Sequence, residues 1–117
     1  MKLRQPTDFL ILEALQLYGR NVAPNLAAHI DKSRKNINTR LPVLLDYGLV
    51  DKIGPSDNSG LYEVTEKGVV VLQLRDAYNE VEDFDGLVDR RLQANEGSAA
   101  AEVFVRGSRN VEESDDE

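Results

Sequence analysis

The chain has 117 residues, with 21 acids against 14 bases, a formal net charge of -7 and no cysteine. That length suits one small domain with a tail. Absent cysteines exclude a disulfide framework and thiolate metal sites, and one histidine leaves almost no nucleophile–base pair for an enzyme. Charge divides unevenly: residues 1–54 carry net +3 and residues 55–117 net -10. An acidic whole argues against general nucleic-acid affinity but leaves room for a local basic face. No apolar run approaches the ~18 residues of a membrane span, and the first residues lack a signal-peptide pattern. A soluble cytoplasmic protein is expected.

Thr7 and Asp8 open the first helix, Thr7 as N-cap and Asp8 at the positive dipole end. Phe9, Leu12, Ala14, Leu15, Leu17 and Tyr18 recur with helical spacing, and Gly19 ends the run as a left-handed residue. Asn21 to Pro24 reads as a connector. Pro24 suits a first helical position, and Leu26, Ala27 and Ile30 form the apolar face of a short second helix whose polar side carries His29. Asp31-Lys32-Ser33 is a turn, with Asp31 or Ser33 as the next N-cap.

The third helix spans 33–47. At ~100° per residue, Ile37, Leu41, Leu44 and Leu45 share one arc and define a buried stripe. Lys35, Thr39 and Asp46 point the opposite way. Asn36, Val43 and Asn38 lie on the shoulders, and Arg40 lies on a flank. Pro42 removes the N–H that would bond the Asn38 carbonyl, at a cost of about 3 kcal/mol. The apolar phase holds across it, which predicts a continuous but kinked helix. Gly48 caps the end.

Leu49 to Ile53 and Leu61 to Val64 are strand-like. Between them, Gly54 to Gly60 is dense in turn formers, which makes a hairpin with a protruding loop. Thr65 caps a fourth helix running to about Asn79 or Phe84, and Asp85-Gly86 breaks it before Leu87 to Leu92. Beyond Asn95 the pattern fades into a small, polar and then acidic run, read as a solvated tail. The expected architecture is mostly α with a small β-hairpin, an α+β winged helix-turn-helix. Residues 1–80 form the winged-helix domain, residues 81–95 a helical extension suited to dimerisation, and residues 96–117 an irregular acidic tail.

This order gives the basic helix a use. A helix start bearing Lys, Arg, Asn and Thr fits the major groove, where Lys and Arg read guanine, Asn reads adenine and a Thr methyl meets thymine. Lys35, Asn36, Thr39 and Arg40 are assigned to base edges. Lys32, Ser33 and Arg34 lie where phosphates meet unpaired N–H groups and are assigned to the DNA backbone. The wing tip offers Ser56, Asn58 and Ser59 but no base. The stripe Val70, Leu74, Ala77 and Val81 runs past the reach of the first three helices and is assigned to a homodimer contact. Pro42 is either tolerated by packing or sets the angle of the reading turns.

Asn25-Leu26-Ala27, Asp31-Lys32-Ser33, Ile37, Arg40-Leu41-Pro42, Leu44, Tyr47-Gly48-Leu49-Val50 and Tyr62 with Thr65-Glu66-Lys67-Gly68 resemble the winged-helix regulators of halophilic archaea, the phage phi-H repressor-like group. The resemblance covers residues 6–80. It implies a DNA-binding transcriptional regulator in a cytoplasm of molar salt. The leading expectation is a repressor with double-stranded DNA and a second copy as partners. No cofactor, metal, membrane or small-molecule effector is expected. The competing reading is a winged-helix interaction module that docks its acidic surface on transcription or replication machinery.

Overall fold

A computed structural model describes residues 1–54 and 60–109, with side chains described as far as Glu96. Helix α1 spans Thr7–Tyr18, β1 Asn21–Val22, α2 Ala23–Ile30, α3 Arg34–Asp46, β2 Val50–Ile53, β3 Leu61–Val64, α4 Glu66–Gln73 and α5 Phe84–Arg109, with a 3-10 turn at Arg75–Ala77. The first three helices pack together, β3 and α4 pack against α1, and β2 packs against α3. Ile11, Leu12 and Leu15 of α1, Leu26 of α2, Ile37, Leu41 and Leu44 of α3, Leu49, Val50, Val70, Val71 and Val88 are fully buried. Each such aliphatic side chain contributes about 1.5–3 kcal/mol relative to exposure.

The sheet has three antiparallel strands in the order β1-β3-β2. The expected hairpin is β2–β3, registered with Val50 opposite Val64 and Ile53 opposite Leu61. The third strand replaces the expected connector: Asn21 and Val22 pair with Tyr62 and Leu61. Two residues carry no period, so only the approach of β3 could reveal them. Gly19 turns the chain out of α1 with φ +84°, a conformation that only glycine adopts without strain.

Caps decide the other boundaries. Ser33 accepts the N–H of Asn36 at 3.1 Å and starts α3, as expected of an N-cap serine. Thr65 does the same for Gly68 at 3.0 Å. It also donates its hydroxyl to the Gly48 carbonyl at 2.6 Å, so one threonine ties the end of α3 to the start of α4. Gly68 allows this closeness: a Cβ there would overlap the Leu49 carbonyl oxygen and lie 2.7 Å from a Val64 methyl. Thr7 caps nothing. It is buried within α1, and Pro6 precedes the helix without a side-chain cap.

Four expectations change on tertiary grounds. Leu45 is 38% exposed, because the stripe of α3 is narrower than its apolar residues suggest. Helix α4 stops at Gln73, well short of Asn79. Hence Val70, Leu74, Ala77 and Val81 are not one helical stripe: Val70 is buried in the chain's own core, Leu74 and Ala77 are half-buried, and Val81 is exposed beyond the 3-10 turn. The break falls at residues 74–83 and not at Asp85-Gly86, since Asp83 accepts the Gly86 N–H at 2.9 Å and starts α5. Finally, helical backbone continues to Arg109 where an irregular tail was expected from residue 96.

Candidate nucleic-acid interface

Helices α2 and α3 are joined by Asp31-Lys32-Ser33, with Asp31 left-handed at φ 56° and its N–H on the Ala27 carbonyl. The turn presents the start of α3 at the surface. Ser33, Arg34, Lys35 and Asn36 are exposed and Lys32 is half-exposed. Three cations therefore surround a helix N-terminus whose own partial charge is positive, and no acid lies between Lys32 and Leu45. That combination attracts anions.

The helix then divides its residues by face. Ile37, Leu41 and Leu44 are 0%, 1% and 0% exposed, while Lys35, Asn36, Asn38 and Thr39 face solvent. Among the described residues, nothing holds the side chains of Lys35 or Asn36. Thr39 donates its hydroxyl to the Lys35 carbonyl at 2.8 Å, which spends the polar atom within the helix and leaves the methyl as its contact group. Pro42 lies on the exposed side, and α3 is continuous through it.

Arg40 is the correction among the sequence-assigned base readers. Its guanidinium is turned inward, and the residue is only 9% exposed. Its Nε donates to one carboxylate oxygen of Asp8 at 2.9 Å, and a terminal nitrogen donates to the other at 2.8 Å. Asp8 is completely buried. Hydrogen bonding to Asp8 raises the Arg40 pKa above its ordinary value, against the burial that lowers it. A guanidinium held this way is not available to a base or a phosphate. The warning was in the helical wheel: Arg40 lies only ~40° from Leu44. Asp8, by contrast, read as a helix-start acid at the positive dipole end, and nothing in the sequence tied it to a residue 32 positions away.

The Asp8 carboxylate also accepts the Arg4 N–H at 2.7 Å, so residues 2–4 run as a strap beside α3. Tyr47, at the end of α3, accepts the Lys2 N–H at 2.9 Å and donates to the Lys2 carbonyl at 3.3 Å. Tyr78 accepts the Leu3 N–H at 2.8 Å while its ring meets Phe9 and Phe84 edge-on, at 5.9 and 5.1 Å. His29 is exposed and stacks on Tyr18, with ring centroids 3.9 Å apart.

No protein-family model matches the sequence, and no curated protein matches it significantly. The chain is similar in structure to a MarR family protein from Bacillus stearothermophilus, with TM-score 0.53, 13% identity and coverage of 85% of this chain and 77% of the other. A MarR family regulator from Neisseria meningitidis gives 0.51 at 19% identity, over 90% and 80%. The PcaV transcriptional regulator from Streptomyces coelicolor, solved with its natural ligand, gives 0.51 at 16% identity, over 82% and 77%. The fold is a winged helix. In that frame α3 is the second helix of the helix-turn-helix and β2–β3 is the wing. The wing residues Ser56, Asn58 and Ser59 lie outside the described residues. Among the described residues, no helix is long and apolar enough to cross a membrane.

Proposed function

We propose that this chain is a cytoplasmic, sequence-specific DNA-binding transcriptional regulator, a repressor that inserts α3 into the major groove as a homodimer. The observation that carries this reading is the division of α3. Its inner face is sealed into the core, and its first two turns expose Lys35, Asn36 and Thr39 beside a capped, cation-flanked N-terminus. Lys35 and Asn36 take guanine and adenine edges, and the Thr39 methyl takes a thymine methyl. Lys32, Ser33 and Arg34 take phosphates. The solved structures of similar fold are transcriptional regulators by name, which supports the reading.

The dimer contact is assigned to α5. Among the residues whose side chains are described, its last contact with the core is Leu92, and the helix runs on to Arg109. At 1.5 Å per residue that is ~25 Å of helix past Leu92, and most helical stability in proteins comes from packing an amphipathic face. A second copy would cover it. Operator half-sites would then lie ~10 bp apart or a multiple of that. Light scattering that shows a monomer at working concentration would remove this part.

The deciding experiment selects bound duplexes from a random pool at several KCl concentrations, including molar salt. An enriched sequence is expected, and the absence of any enrichment overturns the reading. On the selected site, Asn36→Ala should lose about 1–3 kcal/mol and relax preference at one base position. Lys32→Ala or Arg34→Ala should weaken all duplexes alike and make the salt slope shallower by about one unit. In a cytoplasm of molar salt, counterion release would contribute little, so the direct contacts of α3 would dominate. The second reading, a protein-docking module, rests on the exposed acids Asp76, Glu80, Glu82, Asp83, Asp85 and Asp89. It takes over if no duplex is retained at any salt.

A further inference from the structure

A buried bidentate ion pair is an unusual feature for so small a core. Asp8 has no exposure and both of its oxygens are occupied. Such a pair is weak support for stability, because desolving two charges offsets their attraction, and apolar replacements are often neutral or better. What a fork-to-carboxylate contact does supply is direction, since two parallel hydrogen bonds define an angle and not only a distance. This one joins α1 to the middle of α3, one residue after Thr39.

The strap adds a second constraint. The Lys2 carbonyl receives Tyr47 at 3.3 Å and Arg40 at 3.5 Å, so a side chain of α3 and one from the residue that caps its end, seven positions apart, converge on one peptide. Neighbouring strap residues alternate in direction. Lys2 is held by α3, Leu3 buries its side chain and gives its N–H to Tyr78, and Arg4 gives its N–H to the same Asp8 that holds Arg40. Arg40, Asp8, the strap and Tyr47 thus form one closed hydrogen-bonded circuit on a flank of α3, with Arg40 ~100° around the helix from Thr39 and ~140° from Lys35.

We propose that Arg40, Asp8 and the Lys2–Arg4 strap are positioning residues: they fix the rotation of α3 about its own axis, and so the direction in which Lys35, Asn36 and Thr39 point. They serve orientation and not stability. A rotation of only ~20° carries a side-chain tip at ~6 Å radius through ~2 Å, beyond the ~0.5 Å and 10–20° that a recognition geometry tolerates. The effect on reading rests on the DNA-binding proposal above, whereas the positioning itself does not.

The chain contains no cysteine, so Thr39→Cys and Leu17→Cys accept spin labels at two sites only. The label-to-label distance is measured without DNA in three backgrounds: the natural pair, Asp8→Leu with Arg40→Met, and Arg40→Lys, which keeps the charge but loses the fork. Both altered backgrounds should broaden or shift the distance distribution, while the Leu/Met background melts at the same temperature or higher. An unchanged distribution in Arg40→Lys overturns the proposal, and so does a Leu/Met background that folds with unchanged distances. If Leu/Met does not fold, the pair is a stability device and the orientation-only assignment is overturned. The unlabelled proteins are then titrated with the selected and a scrambled duplex. The affinity ratio should fall about tenfold, the size of one base contact, with the salt slope unchanged. A fall in affinity that is equal on both duplexes overturns the link to reading. A natural chain that selects no duplex removes the DNA-binding proposal alone, and the distances still decide the positioning.

Discussion

Helix α3 contains a proline and stays whole, while the run from Glu66 onward contains none and stops at Gln73. The difference lies in what each apolar face meets. In α3 the stripe Ile37, Leu41 and Leu44 is fully buried, and the helix packs against α1, α2 and β2, so the hydrogen bond lost at Pro42 is outweighed by burial on the other side. In α4, Val70, Val71 and Leu72 are buried within one turn, and the helix has then exhausted the surface it can cover. The chain turns at Arg75–Ala77 and brings Tyr78 back between Phe9 and Phe84, where its hydroxyl takes the Leu3 N–H. A continued helix would leave that amide without its partner and Phe84 without its ring contact. Helix continuity here follows tertiary support, and local breakers come second.

This contrast can be broken by experiment, most severely at Leu44. Leu44→Ala should cost about 2–5 kcal/mol, because it opens a cavity in the support that holds α3 together across Pro42; chemical denaturation measures it. Gly68→Ala comes next, with a loss of about 1–3 kcal/mol from forcing a methyl against the Leu49 carbonyl and Val64. A loss under half a kcal/mol would mean that the close approach of α4 to the end of α3 is not required. Tyr78→Phe should lose about 1 kcal/mol by leaving the Leu3 N–H unpaired, and amide exchange at Leu3 should speed up in the same variant. Pro42→Ala sharpens the comparison from the other side. It restores the donor to the Asn38 carbonyl on an exposed face and should raise stability by up to ~1 kcal/mol, an increase of several degrees in melting temperature for a domain of this size.

The sequence by itself determined most elements that own a period or a cap, although it placed a cap at Thr7 and missed the one at Asp83. Phe9 to Leu15 with Gly19, Ser33 at the start of α3, the strand pair Val50–Ile53 and Leu61–Val64, and Thr65 with Gly68 were all legible, because helical spacing, alternation and capping are local. The basic start of α3 was legible for the same reason: residues 32–36 are contiguous, and charge at a helix N-terminus is a property of the chain. Tertiary structure alone decided the rest. Asn21-Val22 is a strand only because β3 has an open edge there. Val70 is buried in a helix that packs against both α1 and α5. Arg40 turned from an expected base reader into the partner of Asp8, since two charges far apart in sequence were buried together and each left the other as the available counter-ion. Local rules act over about four residues, whereas burial is shared across the whole chain, and the pairing that burial forces has no signature within either segment.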